Sequence, residues 1–116
     1  MHDFKELIVW QKTMSFTKRF YEITSYYPKS EIYGLTSQSR RACISISSNI
    51  AEGAGRNSNA QFINFLNISL GSSFELECQI ILANDLEFLS DEISGELLSD
   101  LKHIQNMLVK LIQNFN

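Results

Sequence analysis

The chain has little of what tight turns, disulfides and membrane spans require. Its 116 residues include one proline and five glycines, too few for the many turns of a β-sandwich. The two cysteines, Cys43 and Cys78, lack CxxC spacing, so we expect buried free thiols rather than a disulfide. No apolar run approaches the roughly 20 residues of a membrane span, and no secretory signal is recognisable, so we expect no membrane partner and a cytoplasmic location.

An excess of basic charge is also lacking. The formal net charge is −3, which argues against a strongly basic nucleic-acid-binding protein. The charge is nevertheless uneven: residues 1–57 carry eight Lys and Arg against five Asp and Glu, whereas residues 58–116 carry two against eight. This polarity is compatible with one basic surface on the folded chain or with packing of the two halves against each other.

Motifs that carry catalytic or metal chemistry are missing as well. A di-iron bundle needs Glu-x-x-His on two helices, but the chain has two histidines in all and one distant analogue, from Asp100 to His103. No Cys/His cluster has zinc spacing, and no phosphate-binding loop or nucleophile turn is present. The sequence therefore predicts a non-enzyme without catalytic residues, metal or cofactor.

Apolar residues recur at helical spacing in four segments. Pro28 ends the first segment, because the residue before a proline is driven out of the α region. Ser30, Ser58 and Ser90 are the candidate N-cap residues of the next three. Long segments with short connections predict an all-α fold, an antiparallel up-down-up-down four-helix bundle forming a single domain over residues 1–116. The predicted helices lie at about residues 7–25, 31–53, 59–89 and 91–115.

The third segment is apolar over more of its circumference than a single bundle covers. Beside its core stripe it carries a further stripe that includes Phe74 and Ile81. This surplus predicts a partner, most simply a second copy of the chain. Its centre, Gly71-Ser72-Ser73, holds a glycine that costs about 1 kcal/mol relative to alanine in a helix. We interpret the small residues as a close helix crossing, with a flexible spot as the alternative.

Polar residues on the second segment admit two interpretations. They are Gln38, Arg40, Arg41, Ser45, Asn49 and Glu52. Such groups fix the register of packed helices by bonding across them, with Gln38 and Asn49 as the bonding amides and Arg41 beside a carboxylate, either Glu52 or Glu75. Alternatively, the two arginines hold phosphate groups. The turn from Glu52 to Ser58 raises the same choice, because glycine, arginine and a helix start suit an anion as well as a simple turn. We favour the structural interpretation of both.

Short sequence blocks along the first three segments form a recognisable pattern, of which Ser-Asn-Ile-Ala-Glu-Gly is the most specific. The blocks are Leu7–Lys12, Tyr27–Pro28, Gly34–Gln38, Arg40–Ala42, Ser45–Ile46, Ser48–Gly53, Gly55–Arg56, Phe65–Leu66, Gly71–Ser72 and Glu75–Glu77. In this order they resemble the bacterial four-helix bundle protein family, which includes proteins encoded by intervening sequences within large-subunit ribosomal RNA genes. The resemblance covers about residues 4 to 90.

The resemblance implies a closed antiparallel bundle that assembles as a homopentamer. The family is also similar to accessory proteins of diversity-generating retroelements, pentamers that bind nucleic acid and a reverse transcriptase. If nucleic-acid binding carries over, the matching positions are Arg40, Arg41 and Arg56, with Lys12, Lys18 and Arg19. If the chain is instead a structural scaffold, bundle and interface packing would use Trp10, Gln38, Ser45, Asn49, Glu52, Gly53, Phe65, Gly71, Ser72, Phe74 and Glu75.

Two functional hypotheses follow. The first is a non-enzymatic helical scaffold or adaptor that forms a homo-oligomer, a homopentamer by resemblance, and binds another protein. The alternative is an RNA- or DNA-binding module of ribosomal-RNA or retroelement context.

Overall fold

Four α-helices make up most of the chain in a computed structural model that describes all residues from 1 to 116. Single 3-10 turns precede the first and the second of them, at Phe4–Glu6 and Lys29–Glu31. There is no β-strand, so the predicted all-α class is confirmed. None of the helices combines the length and the apolar character needed to span a membrane. The helices are α1 (Ile8–Thr24), α2 (Leu35–Ala54), α3 (Asn59–Asp85) and α4 (Asp91–Phe115).

The four helices pack as a square. The backbones of α1 and α3 each pack against those of α2 and α4, whereas the backbones of the diagonal pairs do not approach each other. Short connections make neighbours in sequence run antiparallel, as predicted. Each helix contributes fully buried side chains to one core, among them Phe20, Ile46, Leu66 and Leu101. The bundle is 43 Å long.

Local capping explains where α3 and α4 begin. The hydroxyl of Ser58 accepts a hydrogen bond from the backbone N–H of Gln61, and Ser90 does the same for Ile93. Both serines therefore satisfy an otherwise unpaired amide in the first turn. The predicted N-caps of the third and fourth helices are confirmed.

The start of α2 differs from the prediction. Ser30 lies inside the 3-10 turn, and α2 begins only at Leu35 because the backbone of Gly34 is not helical. The carboxylate of Glu31 takes over the capping role by accepting a hydrogen bond from the Leu35 N–H at 3.0 Å. The sequence-based start at residue 31, with Ser30 as cap, is wrong because the carboxylate of Glu31 caps the helix from four residues before its first residue.

The end of α3 also differs from the prediction, by four residues. The helix ends at Asp85, and the backbone N–H of Phe88 folds back to the carbonyl of Ala83 at 2.8 Å. Glu87 adopts a left-handed conformation with φ of 65°, which closes this turn in the position usually held by glycine. Asn84 fixes the connection by donating to the Leu89 carbonyl at 3.1 Å. Apolar Phe88 and Leu89 continue the helical pattern in the sequence but belong to the connection.

The N-terminal residues close one end of the bundle. The backbone N–H of His2 donates to the carbonyl of Ala54 at 2.7 Å. Its ring packs against Phe62 and Phe115, with centroid distances of 5.0 and 4.9 Å. The opposite end carries the α1–α2 and α3–α4 connections, and we call it the loop end.

Candidate interaction surfaces

Small side chains bring α2 and α3 unusually close. A Cβ added to Gly53 would lie 2.6 Å from the Cβ of Phe65, so the two backbones leave room for no side chain there. About two turns of α2 away from Gly53, the hydroxyl oxygens of Ser45 and Ser72 are 2.8 Å apart. The hydroxyl of Ser69 donates to the backbone carbonyl of Ile46 in α2 at 2.7 Å. The buried hydroxyls are thus satisfied across the helix pair. Ser72 belongs to the close crossing that the sequence suggested.

Asn49 supports this interface indirectly. Its side-chain amide donates to the carbonyl and to the hydroxyl of Ser45, at 2.8 and 3.0 Å, within the same helix. Gln38, expected to bond across helices, is exposed and forms no side-chain hydrogen bond. The register that joins Ser45 to Ser72 places Gln38 level with Gln79, whose side-chain oxygen is buried without a partner. The cross-helix contact therefore passes through serine hydroxyls and not through the two amides.

Arg40 is held by α1. Its Nε donates to the hydroxyl of Thr24 at 2.9 Å, and its guanidinium group donates to the carbonyl of Tyr21 at 3.2 Å. The guanidinium carbon also lies 4.4 Å from the centre of the Tyr21 ring, within the range of a cation–π contact. These contacts tie α2 to α1, so the geometry gives Arg40 a structural role.

The other two arginines of α2 and its turn differ from each other. Arg56 forms an ion pair with Glu52 at 3.1 Å and covers the ring of Phe65 at 4.7 Å. Arg41 is exposed and pairs with no carboxylate, contrary to the expected contact with Glu52 or Glu75. The Glu75 carboxylate instead accepts from Gln79 at 3.2 Å. Arg41 is therefore the arginine whose charge is open to a partner.

The basic residues of α1 lie on different sides of that helix. Arg19 crosses to α4, where it forms ion pairs with Glu96 and Asp100. Lys12 lines the same boundary, whereas Lys18 points away from it into solvent. The six candidate nucleic-acid contacts are thus spread along the bundle and do not form one basic patch within a single copy.

The outer face of α3 is an exposed apolar surface. Between 45% and 52% of each of its five large apolar residues is open to solvent. Gly71 lies on the same helix with nothing within 4 Å of the position of a Cβ. It thus plays no part in the crossing with α2, unlike its neighbour Ser72. Helix α3 contains no Lys, Arg or His, and its exposed charges are acidic. The apolar residues of this face are Ile68, Phe74, Ile81 and Leu82, together with Leu86 at the C-cap of the helix.

Trp10 lies at the margin of the core and not in its centre. It is half-buried, and its ring meets the ring of Phe4 edge-to-face at a centroid distance of 5.0 Å. Its contribution is to pack the 3-10 turn onto α1.

The boundary between α1 and α4, which we call the α1–α4 seam, is open where the α2–α3 interface is closed. Three grooves follow one another along it, with volumes of about 640, 490 and 410 Å³ from the loop end to the terminal end. The groove at the loop end is lined by Tyr26, Phe88 and Ile93 among others. Sequence reasoning missed these residues, because Tyr26 and Phe88 follow helix ends and their proximity depends on how the connections fold.

Two buried groups have shifted acidities. Burial raises the pKa of the Tyr27 hydroxyl to about 12, and this hydroxyl has no hydrogen-bond partner. Burial also raises the pKa of the Cys43 thiol to about 11, although a hydrogen bond with Thr17 opposes the shift. Both groups are therefore neutral at physiological pH, which gives Cys43 little nucleophilic character. The structure brings together no set of three His, Cys, Asp or Glu side chains that would suit a metal ion.

An antiparallel square of four helices with one tightly sealed interface defines an all-α four-helix bundle protein. The chain belongs to the 23S rRNA-intervening sequence protein family, whose model matches residues 5–110. It is similar to the crystal structure of a protein of unknown function from the S23 ribosomal protein family of Bacteroides thetaiotaomicron VPI-5482. The two share 28% sequence identity with a TM-score of 0.84, over 91% of this chain and 96% of the other. No curated protein matches the chain significantly.

Proposed function

We propose that this chain is a non-enzymatic helical scaffold or adaptor that assembles with copies of itself through the outer face of α3. The observation that carries the proposal is the group of five half-exposed apolar residues on that helix and at its C-cap. Exposed apolar surface of this kind is typical of an interaction site, and a second copy is the partner always available. The resemblance described above favours five copies, and a cytoplasmic location accords with the ribosomal-RNA connection of the family.

Gly71 offers a sharp test, because a side chain there meets nothing within its own copy. Gly71→Glu places a charge at the centre of the α3 face, and burial of an unpaired charge between copies is strongly unfavourable. We expect light scattering behind size exclusion to give a multiple of 13.3 kDa for the native chain and 13.3 kDa for the variant.

Gly95→Glu is the matched control. Gly95 also lies inside a helix with open space around it, but on α4. This variant should keep the native mass. A native chain that is monomeric, or a Gly71→Glu variant of native mass, would refute assembly through this face.

Arg41 and Lys18 support a second candidate function, binding of RNA or DNA. Both are exposed, and neither takes part in an ion pair. Repetition of weak basic patches in a symmetric oligomer would add their contacts through avidity. The same light-scattering experiment with mixed RNA should then show a larger complex at about 50 mM salt and loss of it at about 200 mM, because phosphate contacts release counterions. No complex at low salt, or one that salt does not weaken, argues against this function.

A further inference from the structure

The loop-end groove of the α1–α4 seam is an apolar depression in an acidic environment. Five of its eight lining residues are hydrophobic, and its volume of about 640 Å³ is within the range of peptide and ligand sites. Tyr26 lines it with 88% of its surface exposed. The rest of the wall comes from the end of α1, the start of α4 and the two connections. The lining residues are Glu22, Ile23, Ser25, Tyr26, Phe88, Leu89, Ser90 and Ile93.

One acidic residue belongs to the wall of this groove, and two more directly precede lining residues in the sequence. Glu22 is part of the wall, Glu87 directly precedes Phe88, and Glu92 directly precedes Ile93. All three are exposed, and none forms an ion pair. The basic residues nearby are Lys29 in the α1–α2 connection and Arg40, which is bound to Tyr21 and Thr24. Arg19, one turn further along α1, is already neutralised by its two carboxylates on α4.

From this complementarity we infer that the loop-end groove is the docking site for a basic amphipathic segment of a partner protein. Such a segment places its apolar side chains on Ile23, Phe88 and Ile93 while its Lys or Arg residues meet the carboxylates at the rim. Exposed tyrosine suits this role because its rigid ring contributes contact area and its hydroxyl a hydrogen bond.

Other occupants fit the groove less well. Nucleic acid would bring phosphates against the free carboxylates. A second copy offering its α3 face would bring further acidic charge, since α3 contains no basic residue. The first and last residues of the same chain lie at the opposite end of the 43 Å bundle. The inference goes beyond the proposed self-association and holds equally for a monomer.

The test uses a fluorescein-labelled model peptide of about 15 residues, built from Leu and Arg with helical periodicity. Its control peptide carries Glu in place of every Arg. Fluorescence anisotropy with the full chain should show saturable binding of the Arg peptide and none of the Glu peptide. Glu22→Lys and Tyr26→Ala should each weaken binding by about tenfold, because each removes one kind of groove contact.

Matched variants separate the groove from general attraction to an acidic protein. Glu6→Lys makes the same charge change at the opposite end of the bundle, and Tyr33→Ala removes a tyrosine that is 93% exposed outside the groove. Both should bind like the native chain. Equal weakening by Glu22→Lys and Glu6→Lys, absence of binding by the Arg peptide, or equal binding by the Glu peptide would each overturn the inference. The Gly71→Glu variant, which we expect to be monomeric, should bind the Arg peptide like the native chain. This measurement makes the test of the groove independent of self-association.

Discussion

The α2–α3 interface and the α1–α4 seam are built from different side chains and reach different degrees of closure. Glycine and serine let α2 and α3 approach so closely that a Cβ at Gly53 would collide with Phe65. The serine hydroxyls form hydrogen bonds across this contact. At the seam, long side chains such as Arg19 bridge the gap, and grooves remain beside them. Side-chain size thus divides one small bundle into a rigid half and an accessible half.

This difference suggests a division of labour. A close-packed helix pair has little freedom to rearrange, because its interior is dense and its hydroxyls are paired. The seam can accept a ligand without loss of that packing, since its grooves already exist. Helix α3 also carries the outer apolar face, so the rigid half supplies the surface proposed for self-association. The accessible half supplies the groove proposed for a partner.

The largest change in the free energy of unfolding is expected from a single methyl group added at the α2–α3 interface. Gly53→Ala should lower the free energy of unfolding by about 2 kcal/mol, because the added Cβ forces α2 away from α3. Gly95→Ala, in open space on α4, should raise it by about 1 kcal/mol through better helix propensity. Urea denaturation of both variants checks the prediction. A stabilised Gly53→Ala variant would show that the interface is looser than the structure indicates.

A smaller change in stability is expected at Tyr27, whose hydroxyl lacks the hydrogen-bond partner that the serine hydroxyls of the α2–α3 interface have. The hydroxyl of Tyr27 has no partner, so Tyr27→Phe should raise the free energy of unfolding by about 1 kcal/mol at neutral pH. The folded chain holds the Tyr27 proton up to a pKa of about 12, whereas the unfolded chain releases it near 10. The contribution of Tyr27 protonation to the free energy of unfolding is therefore fully present below pH 10, and it is lost as the pH rises from 10 to 12.

Tyr27→Phe should consequently flatten the fall in stability between pH 10 and 12, as measured by urea denaturation across that range. Part of the fall should remain from Cys43, whose pKa rises from 9.0 to about 11 on folding. Tyr33→Phe is the control, because that side chain is almost fully exposed. Identical pH profiles for native and Tyr27→Phe chains would contradict the assignment.

The smallest expected effect is at the seam. Arg19→Met removes both ion pairs to α4 and should lower the free energy of unfolding by less than about 1 kcal/mol, because partly exposed pairs contribute little. The difference from the native chain should shrink in about 1 M salt, which screens these charges. A loss as large as that of Gly53→Ala would mean that the seam is as tightly coupled as α2–α3.

Local signals located most helix boundaries but not all of them. Ser58 and Ser90 cap their helices from the position just before the first turn, where sequence alone identifies them. The start of α2 depends on the Glu31 carboxylate, which accepts a hydrogen bond from the N–H of Leu35 four residues later. The end of α3 depends on the left-handed backbone conformation of Glu87. Neither residue has a strong preference for that role, so the pattern could not predict it.

The arginines illustrate the same limit for the candidate sites. Arg40 and Arg41 are adjacent and equal in charge, and either could hold a phosphate as far as the sequence is concerned. Because successive residues point about 100° apart on a helix, packing directs one onto Tyr21 of α1 and leaves the other in solvent. Only the positions of neighbouring helices assign their roles.

The amino-acid sequence by itself determined the all-α class, the number of helices, the antiparallel order and the surplus apolar face of α3. These features follow from the period of apolar residues and from the lengths of the connections. The tertiary structure decided which small residues form the tight crossing and which polar groups find partners. It also placed Tyr26, Phe88 and Ile93 around one groove. Those outcomes depend on distances between residues far apart in the chain, which periodicity along a single helix does not encode.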